Sequence, residues 1–471
     1  MTLSPFEERV LARLRPGENE KQHINDVACR LVNAVDESGK AKGMVVGSVA
    51  RDTWISGDRD LDIFLLFPQT LTRDDLEGEG LSLARTIAQR FATGYQEKYA
   101  EHPYISASIE GLDVDLVPCY AVSSATEIKS AVDRTPFHTR FIKDRIREYI
   151  DDVLLLKQLT KAGGVYGSDQ MTEGFSGYLC ELLIVHYRGF HSLLRAASGW
   201  RPGTVIEIEG SRTKKFTEPL VVVDPVDPGR NVSASVSLTR MYEFVELARG
   251  YLERPSLYFY FPGSRPMMTR REFGSALGIR GTSLFSIVIR TPPYIEEIIV
   301  PQLRKSQEAI SGLLVRYGFV VIRAGYEMQP AESMLLFELS AADLPPVKRH
   351  MGPPLWSAGN ADKFCEKYLF PEADTQYSGP YIEDGRYIVE LQRQWKHADA
   401  LLRSQEVLQI ALGKHVKQAM NEQWVVKKGP ECWDESFAAF LGAFIRRESP
   451  LTRVRKWERE EKENRKHDPK I

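Results

Sequence analysis

The apolar positions of the first 120 residues follow helical spacing in some segments and strand spacing in others, which predicts a small mixed α/β domain. Ser4-Pro5-Phe6-Glu7 has the pattern of a capping box with proline at the first helical position, and an apolar stripe follows it. Further helices are predicted near Ile24–Val35 and Leu81–Phe91. Strands are predicted at Met44–Val46, Leu61–Phe67 and Asp113–Val117, the last one stopped by Pro118.

From about residue 145 the pattern changes to helices with broad apolar surfaces. Asp151–Ala162 is predicted to be helical, and Gly177–Ala197 is predicted to form one long helix that is apolar on most sides and therefore buried. Two short strands are predicted at Val205–Ile208 and Leu220–Val223. Turns rich in Asp, Pro and Gly follow the second strand.

A further domain is predicted to begin near Pro262–Arg271. Its elements are expected to be a strand at Leu284–Ile289, a helix whose stripe runs from Leu303 to Tyr317, and strands at Phe319–Ile322 and Met334–Leu339. This order suggests a split βαβ unit. Helices are expected to fill much of the region after Tyr387, and the charged last twenty residues are expected to end in a frayed tail.

Composition restricts the possible functions. The 471 residues suggest two to four domains, and 62 Lys and Arg against 64 Asp and Glu leave a net charge of −2. An anionic partner would therefore have to be held by local basic patches. No apolar stretch approaches the roughly 18 residues of a membrane span, and Met1–Glu8 is not a secretory signal. Five scattered cysteines without a CxxC predict reduced thiols in a cytoplasmic protein, with a zinc site improbable.

The candidate chemistry is concentrated on two acidic strands. Because side chains alternate along a strand, Asp60 and Asp62 point to the same face, where two carboxylates repel unless a cation lies between them. Oxygen ligands on a rigid strand suit Mg²⁺, which also binds substrate phosphates. A later strand offers a third carboxylate in Asp113 or Asp115, and the residues alone do not choose between them.

A possible phosphate-binding loop precedes these acids. Gly47-Ser48 lies between a strand and a helical turn, where backbone N–H groups and the hydroxyl could hold a triphosphate. A Gly-Ser pair alone is usually a plain turn, and a lone D-x-D is usually a solvated strand face. The full combination is far more specific: Gly-Ser, a D-x-D about a dozen residues later, and another Asp on a later apolar strand.

This arrangement resembles the nucleotidyltransferase superfamily that includes DNA polymerase β, and more narrowly the archaeal CCA-adding enzymes, the class I tRNA nucleotidyltransferases. The resemblance rests on Gly47–Trp54, Asp60–Pro68, Asp115–Tyr120, Ser130–His138, Gly174–Leu183, Val223–Asp227 and Arg230–Val232, and more weakly on Pro301–Leu303 and Met351–Pro354. The blocks run in order through at least the first 260 residues.

The resemblance implies an α+β multidomain fold. Residues 1–143 would form a polymerase β-like catalytic head, residues 144–262 a mostly helical central nucleotide-binding domain, and residues 263–471 an α+β C-terminal tRNA-binding body and tail. The implied activity is template-independent addition and repair of the 3′-terminal CCA of tRNA from CTP and ATP by two-metal catalysis with Mg²⁺. The alternatives are a poly(A) or oligoadenylate type of RNA nucleotidyltransferase, or an inactive RNA-binding protein. The implied partners are the acceptor and T arm of tRNA, ATP and CTP, without a membrane; a homodimer is compatible with the sequence, which does not give the oligomeric state.

The resemblance also assigns site residues. It favours Asp115 over Asp113 as the third metal ligand beside Asp60, where the family often has Glu, and Asp62. The implied nucleotide-binding residues are Gly47, Ser48, Arg51, Thr135, His138, Lys157, Tyr166 and Arg230, the last reading the base edge. Proximity and charge suggest that Asp224 holds Arg230. The candidate tRNA-backbone contacts are Arg212, Lys214 and Lys215, Arg265, Arg270 and Arg271, and Arg453, Arg455, Lys456 and Arg459.

Overall fold

A computed structural model describes residues 4–99, 102–124, 127–370 and 375–467. The chain forms two compact units, one of Met1–Ser264 with Glu448–Ile471 and the other of Arg265–Arg447. The C-terminal helix therefore packs within the first unit, although it follows the second unit in sequence. Met1–Leu3 of the predicted N-terminus and the predicted frayed tail from residue 468 lie outside the described residues.

The first unit begins with a five-stranded sheet and the helices around it. The elements are α1 Pro5–Leu14, α2 Glu18–Glu37, β1 Lys42–Val46, β2 Asp60–Phe67, α3 Arg73–Phe91, β3 Gly94–Tyr99, β4 Pro103–Ile109, β5 Leu112–Tyr120 and α4 Thr135–Arg145. The strand order is β1-β2-β5-β4-β3, in which β2 and β5 are parallel and the other pairs antiparallel. The capping box predicted for α1 is present.

Side-chain alternation decides which face of this sheet is buried. Leu61, Ile63 and Leu65 of β2 pack in the core that α2 and α3 complete. The even-numbered residues of β2 therefore point to the opposite face, as the strand period requires. The sheet and its two helices thus leave one face of β2 and β5 for the candidate site.

Two details of this sheet differ from the sequence prediction. β5 does not stop at Pro118 but continues to Tyr120. The proline is tolerated because β4 pairs with β5 only as far as Leu116, so one side of β5 is unpaired there. β3 and β4 were not predicted, and every residue of β3 is exposed.

The rest of the first unit is mostly helical. Its elements are α5 Ile150–Gly163, α6 Gly177–Tyr187, α7 Phe190–Ala197, the parallel pair β6 Thr204–Glu207 and β7 Leu220–Val223, and α8 Leu238–Glu253. These helices, α1 and the C-terminal helix share one apolar core. The single helix predicted over Gly177–Ala197 is wrong, because positive φ angles at Arg188 (56°) and Gly189 (125°) end α6 and start a new helix.

The second unit contains a four-stranded and a three-stranded sheet. Its elements are α9 Arg270–Arg280, β8 Ser283–Arg290, α10 Glu296–Arg316, β9 Val321–Met328, β10 Glu332–Leu339, β11 Val347–Pro354, α11 Ala358–Leu369, β12 Gln376–Glu383, β13 Arg386–Gln392, α12 Ala398–Leu402, α13 Glu406–Gln409, α14 Lys414–Glu422, β14 Trp424–Lys428 and α15 Ala438–Ile445. The C-terminal helix of the first unit is α16 Pro450–His467. The sheet orders are β14-β8-β10-β9 and β11-β13-β12.

The predicted split βαβ unit is confirmed, because β10 lies between β8 and β9 and is antiparallel to both. The strand predicted at Phe319–Ile322 begins two residues later, since Phe319 is a buried residue of the turn after α10. The three-stranded sheet was not predicted, and Tyr387 lies on its central strand. The helices expected to fill much of the region after Tyr387 are present as α12 to α16.

All five cysteines are free thiols, as predicted. Among the described residues, none of the helices combines the length and the apolar character needed to cross a membrane.

Candidate functional site

Four carboxylates form a two-by-two array on the face of the sheet opposite α2 and α3. The parallel register of β2 and β5 pairs Asp60 with Asp113 and Asp62 with Asp115. Register partners on parallel strands point to the same face, so the pairing and the strand period together bring the acids to one surface. Asp62 and Asp115 are half-buried, whereas Asp60 and Asp113 are exposed.

The electrostatics of this array favour a bound cation. Burial, and then the charges of Asp115 and Asp60, raise the pKa of Asp62 to about 6, although Arg51 opposes the rise. Burial, and then the charge of Asp58 and other acids, raises the pKa of Asp60 as well. Ionised carboxylates held together repel each other, and a cation between them relieves that cost.

The donor set suits a hard divalent metal. Asp60, Asp62 and Asp115 offer only oxygen ligands on rigid strands. In the described part of the chain, no three or more His, Cys, Asp or Glu side chains are gathered into a metal-ligand cluster. The three carboxylates nevertheless share one face of the sheet, where like charges repel each other until a cation binds.

The candidate phosphate loop lies directly against these acids. Gly47 has φ = +72°, and a Cβ at this position would lie 2.1 Å from Asp62 Oδ2, so only glycine fits. A short 3-10 turn at Val49–Arg51 follows, and the Thr53 amide donates to the Ser48 carbonyl at 3.0 Å. The predicted loop and the predicted metal ligand Asp62 are therefore in contact.

A cleft of about 900 Å³ opens in the same unit. Its lining residues come from the start of α4 and the turn before it, from the loop before α6 and its first turn, from the loop before β7 and from the segment after β7: Ala131, Arg134, Thr135, His138, Ser168, Ser176, Tyr178, Lys214, Lys215, Phe216, Thr217, Glu218, Asp227, Gly229, Arg230, Asn231, Val232, Ala234 and Ser235. Three predicted nucleotide-binding residues, Thr135, His138 and Arg230, are thus brought together. The cleft is large enough to hold a small-molecule ligand such as a nucleotide.

Asp224 organises one wall of this cleft. It is fully buried, and its Oδ2 lies 2.9 Å from His138 Nε2 and 2.8 Å from Arg230 Nη1. Burial alone would raise the pKa of Asp224, but the bond from His138, its charge and the bonds from Val226 and Arg230 bring it below its ordinary value. The predicted contact between Asp224 and Arg230 is confirmed. The His138 ring also stacks on the Tyr178 ring, with ring centroids 4.1 Å apart, so the face of the imidazole is packed as well.

The other predicted nucleotide-binding residues lie in a more enclosed place. The Lys157 ammonium is buried and donates to the Thr53 carbonyl (2.8 Å), the Thr53 hydroxyl (3.2 Å) and Glu181 (3.2 Å). Arg51 is also buried, with Nε 2.8 Å from Glu181. Tyr166 is half-buried, and burial raises its pKa above the ordinary value. Lys157 and Arg51 are therefore occupied by protein acceptors and do not line the cleft.

Sequence reasoning gave no role to two buried acids that hold these parts in place. The sequence could have pointed to Glu181, because a single carboxylate within the apolar run of α6 must have buried partners. Asp133 accepts hydrogen bonds from the amides of Tyr120 (2.9 Å), Ser130 (2.8 Å) and Lys129 (3.1 Å). It thereby fastens the segment that leads into α4 to the end of β5.

The candidate RNA-contacting patches differ in their surroundings. Lys214 and Lys215 are exposed and line the cleft. The cations of α16 are mostly engaged within the protein: Arg455 with Glu253 and Glu458, Lys456 with Glu448, Arg459 with Glu463, and Arg453 with the Gly163 carbonyl. Arg212, Arg265, Arg270 and Arg271 are exposed.

Family models match three consecutive segments of the chain. Residues 28–138 match a nucleotidyltransferase domain, residues 151–261 match the second domain of tRNA nucleotidyltransferase, and residues 280–429 match the C-terminal domain of CCA-adding enzyme. The first segment contains the acidic array and the phosphate loop. The second contains Asp224 and Arg230.

Curated relatives match almost the whole chain. A CCA-adding enzyme of Methanoregula boonei is 55% identical over 96% of this chain and 97% of its own length. CCA-adding enzymes of Methanosarcina barkeri (42% identical; 88% of this chain, 91% of the relative) and Halobacterium salinarum (40%; 87% and 90%) are similar as well. The chain therefore belongs to the archaeal CCA-adding enzymes, a family of tRNA nucleotidyltransferases.

Proposed function

We propose that this protein adds and repairs the 3′-terminal CCA of tRNA, using CTP and ATP without a nucleic-acid template and releasing pyrophosphate. Its substrates are tRNA and nucleoside triphosphates, as expected for a CCA-adding enzyme. The observation that carries the proposal is the register of Asp62 opposite Asp115, with Gly47 packed on Asp62, in a chain similar to CCA-adding enzymes over nearly its whole length.

Enzymes of this superfamily generally use a divalent metal, and we infer that it is Mg²⁺ here. Asp60 and Asp62 would hold the ion that carries the triphosphate, and both would share the second ion with Asp115. When bound, the ions supply positive charge that neutralises the triphosphate and lowers the pKa of the tRNA 3′-hydroxyl. The raised pKa of Asp62 supports this role, since burial and the neighbouring charges of Asp115 and Asp60 disfavour its ionised form until a cation binds.

The chain's own residues would position the reactants. The backbone of Gly47 and the hydroxyl of Ser48 would cradle the phosphates, and Thr135 and His138 at the start of α4 would hold them from the cleft. The 3′-oxygen then attacks the α-phosphorus in line, and pyrophosphate leaves. The gain in rate comes from positioning and from charge stabilisation rather than from covalent catalysis.

Nucleotide choice is assigned to the side of the cleft that carries Arg230. Its guanidinium is about two-fifths exposed while Asp224 holds one edge, so the remaining donors can meet the edge of a base. Arg51, Lys157 and Tyr166 complete the proposed nucleotide site from the enclosed side. The two buried cations would act on the triphosphate by their charge, because the Lys157 ammonium already donates to protein acceptors and Arg51 is paired with Glu181.

We assign residues 1–143 to catalysis, 144–262 to nucleotide binding, and 263–471 to binding the acceptor and T arm of tRNA. The exposed basic residues before β7 and in α9 are the favoured backbone contacts, because most cations of α16 already have acidic partners. RNA helices are recognised mainly by shape and backbone, which suits a near-neutral protein. We further propose a cytoplasmic location and a homodimer.

Nucleotide omission tests the proposed function. Purified protein is incubated with Mg²⁺ and tRNA that lacks its last three nucleotides, with CTP alone, ATP alone or both. We expect two C residues with CTP alone, no long A tract with ATP alone, and the complete CCA with both. A poly(A) or oligoadenylate type of enzyme would make A tracts from ATP alone, and an inactive RNA-binding protein would extend nothing.

A further inference from the structure

The carboxylate of Glu181 is fully buried in an otherwise apolar helix, α6. Burial alone would raise its pKa, but the charges of Arg51 and Lys157, together with hydrogen bonds from Thr53 and Lys157, hold the pKa below its ordinary value. A buried carboxylate that stays ionised must be fixed by its partners, and it fixes them in return.

Three elements of the first unit meet at this carboxylate. The Thr53 hydroxyl lies 2.5 Å and the Lys157 ammonium 3.2 Å from Oε1, and Arg51 Nε lies 2.8 Å from Oε2. Arg51 and Thr53 come from the turn after the phosphate loop, and Lys157 comes from α5. Arg51 also donates to Thr139 of α4 at 3.2 Å, which ties in the helix that begins with Thr135.

Thr53 connects this cluster to the phosphate loop. Its hydroxyl donates to Glu181 and its carbonyl accepts from Lys157, while its amide closes the turn onto the Ser48 carbonyl. Every polar group of Thr53 is thus used, and the residue is fully buried. The position of Ser48 therefore depends, through one residue, on Glu181.

The cluster also places charge behind the loop. Arg51 and Lys157 carry two positive charges against the single negative charge of Glu181, and all three side chains are at least nine-tenths buried. The two cations are buried and therefore little screened by solvent, so a triphosphate placed on the loop would experience their surplus positive charge.

We propose that Glu181 is a positioning residue for nucleotide binding. Through Thr53 and the two buried cations, it holds the turn that carries Gly47 and Ser48 in the conformation that accepts a triphosphate. The proposal rests on the function proposed above and goes beyond it, since Glu181 lies outside the acidic array and the cleft. A preformed loop binds more tightly because less ordering is needed when the ligand arrives.

Glu181→Gln tests the proposal, because the amide can still accept hydrogen bonds but carries no charge. Glu338→Gln is a matched control in the second unit, where Glu338 is equally buried and is bound by Arg280, Arg323 and the Thr282 hydroxyl. For both full-length variants, the Kd for ATP and CTP is measured by equilibrium titration with Mg²⁺, and KM and kcat are measured for incorporation into tRNA.

We expect Glu181→Gln to raise Kd and KM about tenfold for ATP and CTP alike, because the triphosphate is common to both. KM for tRNA should stay unchanged, and Glu338→Gln should leave nucleotide binding unchanged. Unaltered nucleotide Kd in Glu181→Gln, or an equal loss in both variants, would overturn the proposal.

Thr53→Val covers the case in which Glu181→Gln does not fold. It removes only the hydroxyl between Lys157 and Glu181 and should raise nucleotide Kd in the same direction by a smaller factor; an unchanged Kd would refute the proposal. If wild-type protein binds nucleotides but does not extend tRNA, the proposed function fails instead, and the Kd comparison still decides the role of Glu181.

Discussion

Replacing Asp62 by Asn should abolish activity and stabilise the metal-free protein at the same time. The residue lies opposite Asp115 on the acidic face, and burial together with Asp115 and Asp60 raises its pKa from 3.8 to about 6. For an acid, a higher pKa in the folded than in the unfolded chain means that its charged form opposes folding.

The size of the effect follows from this pKa. A rise from 3.8 to about 6 corresponds to a ceiling of about 3 kcal/mol at neutral pH. Asp62 is only half-buried, so screening by water lowers the expected gain to about 1–2 kcal/mol. The cost of the charge is present above pH 6 and vanishes below about pH 4, where Asp62 is protonated in both states. The gain in Asp62→Asn should therefore shrink as the pH falls through this range.

Urea unfolding in EDTA at several pH values measures the increase in the free energy of unfolding. Incorporation of labelled CTP into tRNA measures the activity, which should fall at least about 100-fold. Saturating Mg²⁺ should stabilise wild type more than the variant. Asp113→Asn is the matched control on the same face, and it should keep its activity within a few-fold. The reasoning is refuted if Asp62→Asn lowers the free energy of unfolding at pH 7.5 or incorporates at the wild-type rate.

Three further substitutions test other parts of the account. Asp224→Asn weakens the bonds to His138 and Arg230, so it should raise KM for both nucleotides about tenfold and reduce discrimination between CTP and ATP. Steady-state kinetics and misincorporation assays measure the two effects. Gly47→Ala should abolish incorporation while leaving the circular dichroism spectrum unchanged, since the added methyl group would occupy the place of the Asp62 carboxylate; normal activity would contradict the packing described. Glu7→Gln should lower the free energy of unfolding at pH 7 by about 2–3 kcal/mol. Although burial alone would raise the pKa of Glu7, bonds from His191 and neighbouring groups hold it at about 2, so the difference should fade as the pH falls from 4.5 towards 2 in acid titrations of stability.

The acidic face could be predicted because it depends on local rules. The two-residue period of a strand places Asp60 and Asp62 on one face whatever surrounds them. The pairing of Asp62 with Asp115 could not be derived in this way, because it depends on a parallel register between strands that are far apart in sequence. The resemblance chose Asp115 over Asp113, and the structure shows Asp115 as the more buried of the two.

The features that the sequence did not predict have both tertiary and local causes. β3 is exposed at every residue and has no apolar alternation, so its strand conformation comes from pairing with β4. The break in the predicted long helix was encoded at Arg188 and Gly189, but an apolar run on both sides masked it. The sequence also could not show that the Lys157 ammonium is already hydrogen-bonded. Its acceptors, Thr53 and Glu181, are distant in sequence and meet only in the folded chain.

The most direct test of the central claim is the sequence of the product. A tRNA that lacks its last three nucleotides is incubated with the protein, CTP, ATP and Mg²⁺, and the new 3′ ends are sequenced over time. We predict ends in C, then CC, then CCA, with no further extension. Homopolymeric A tails, ends of another sequence, or unextended tRNA would contradict the account.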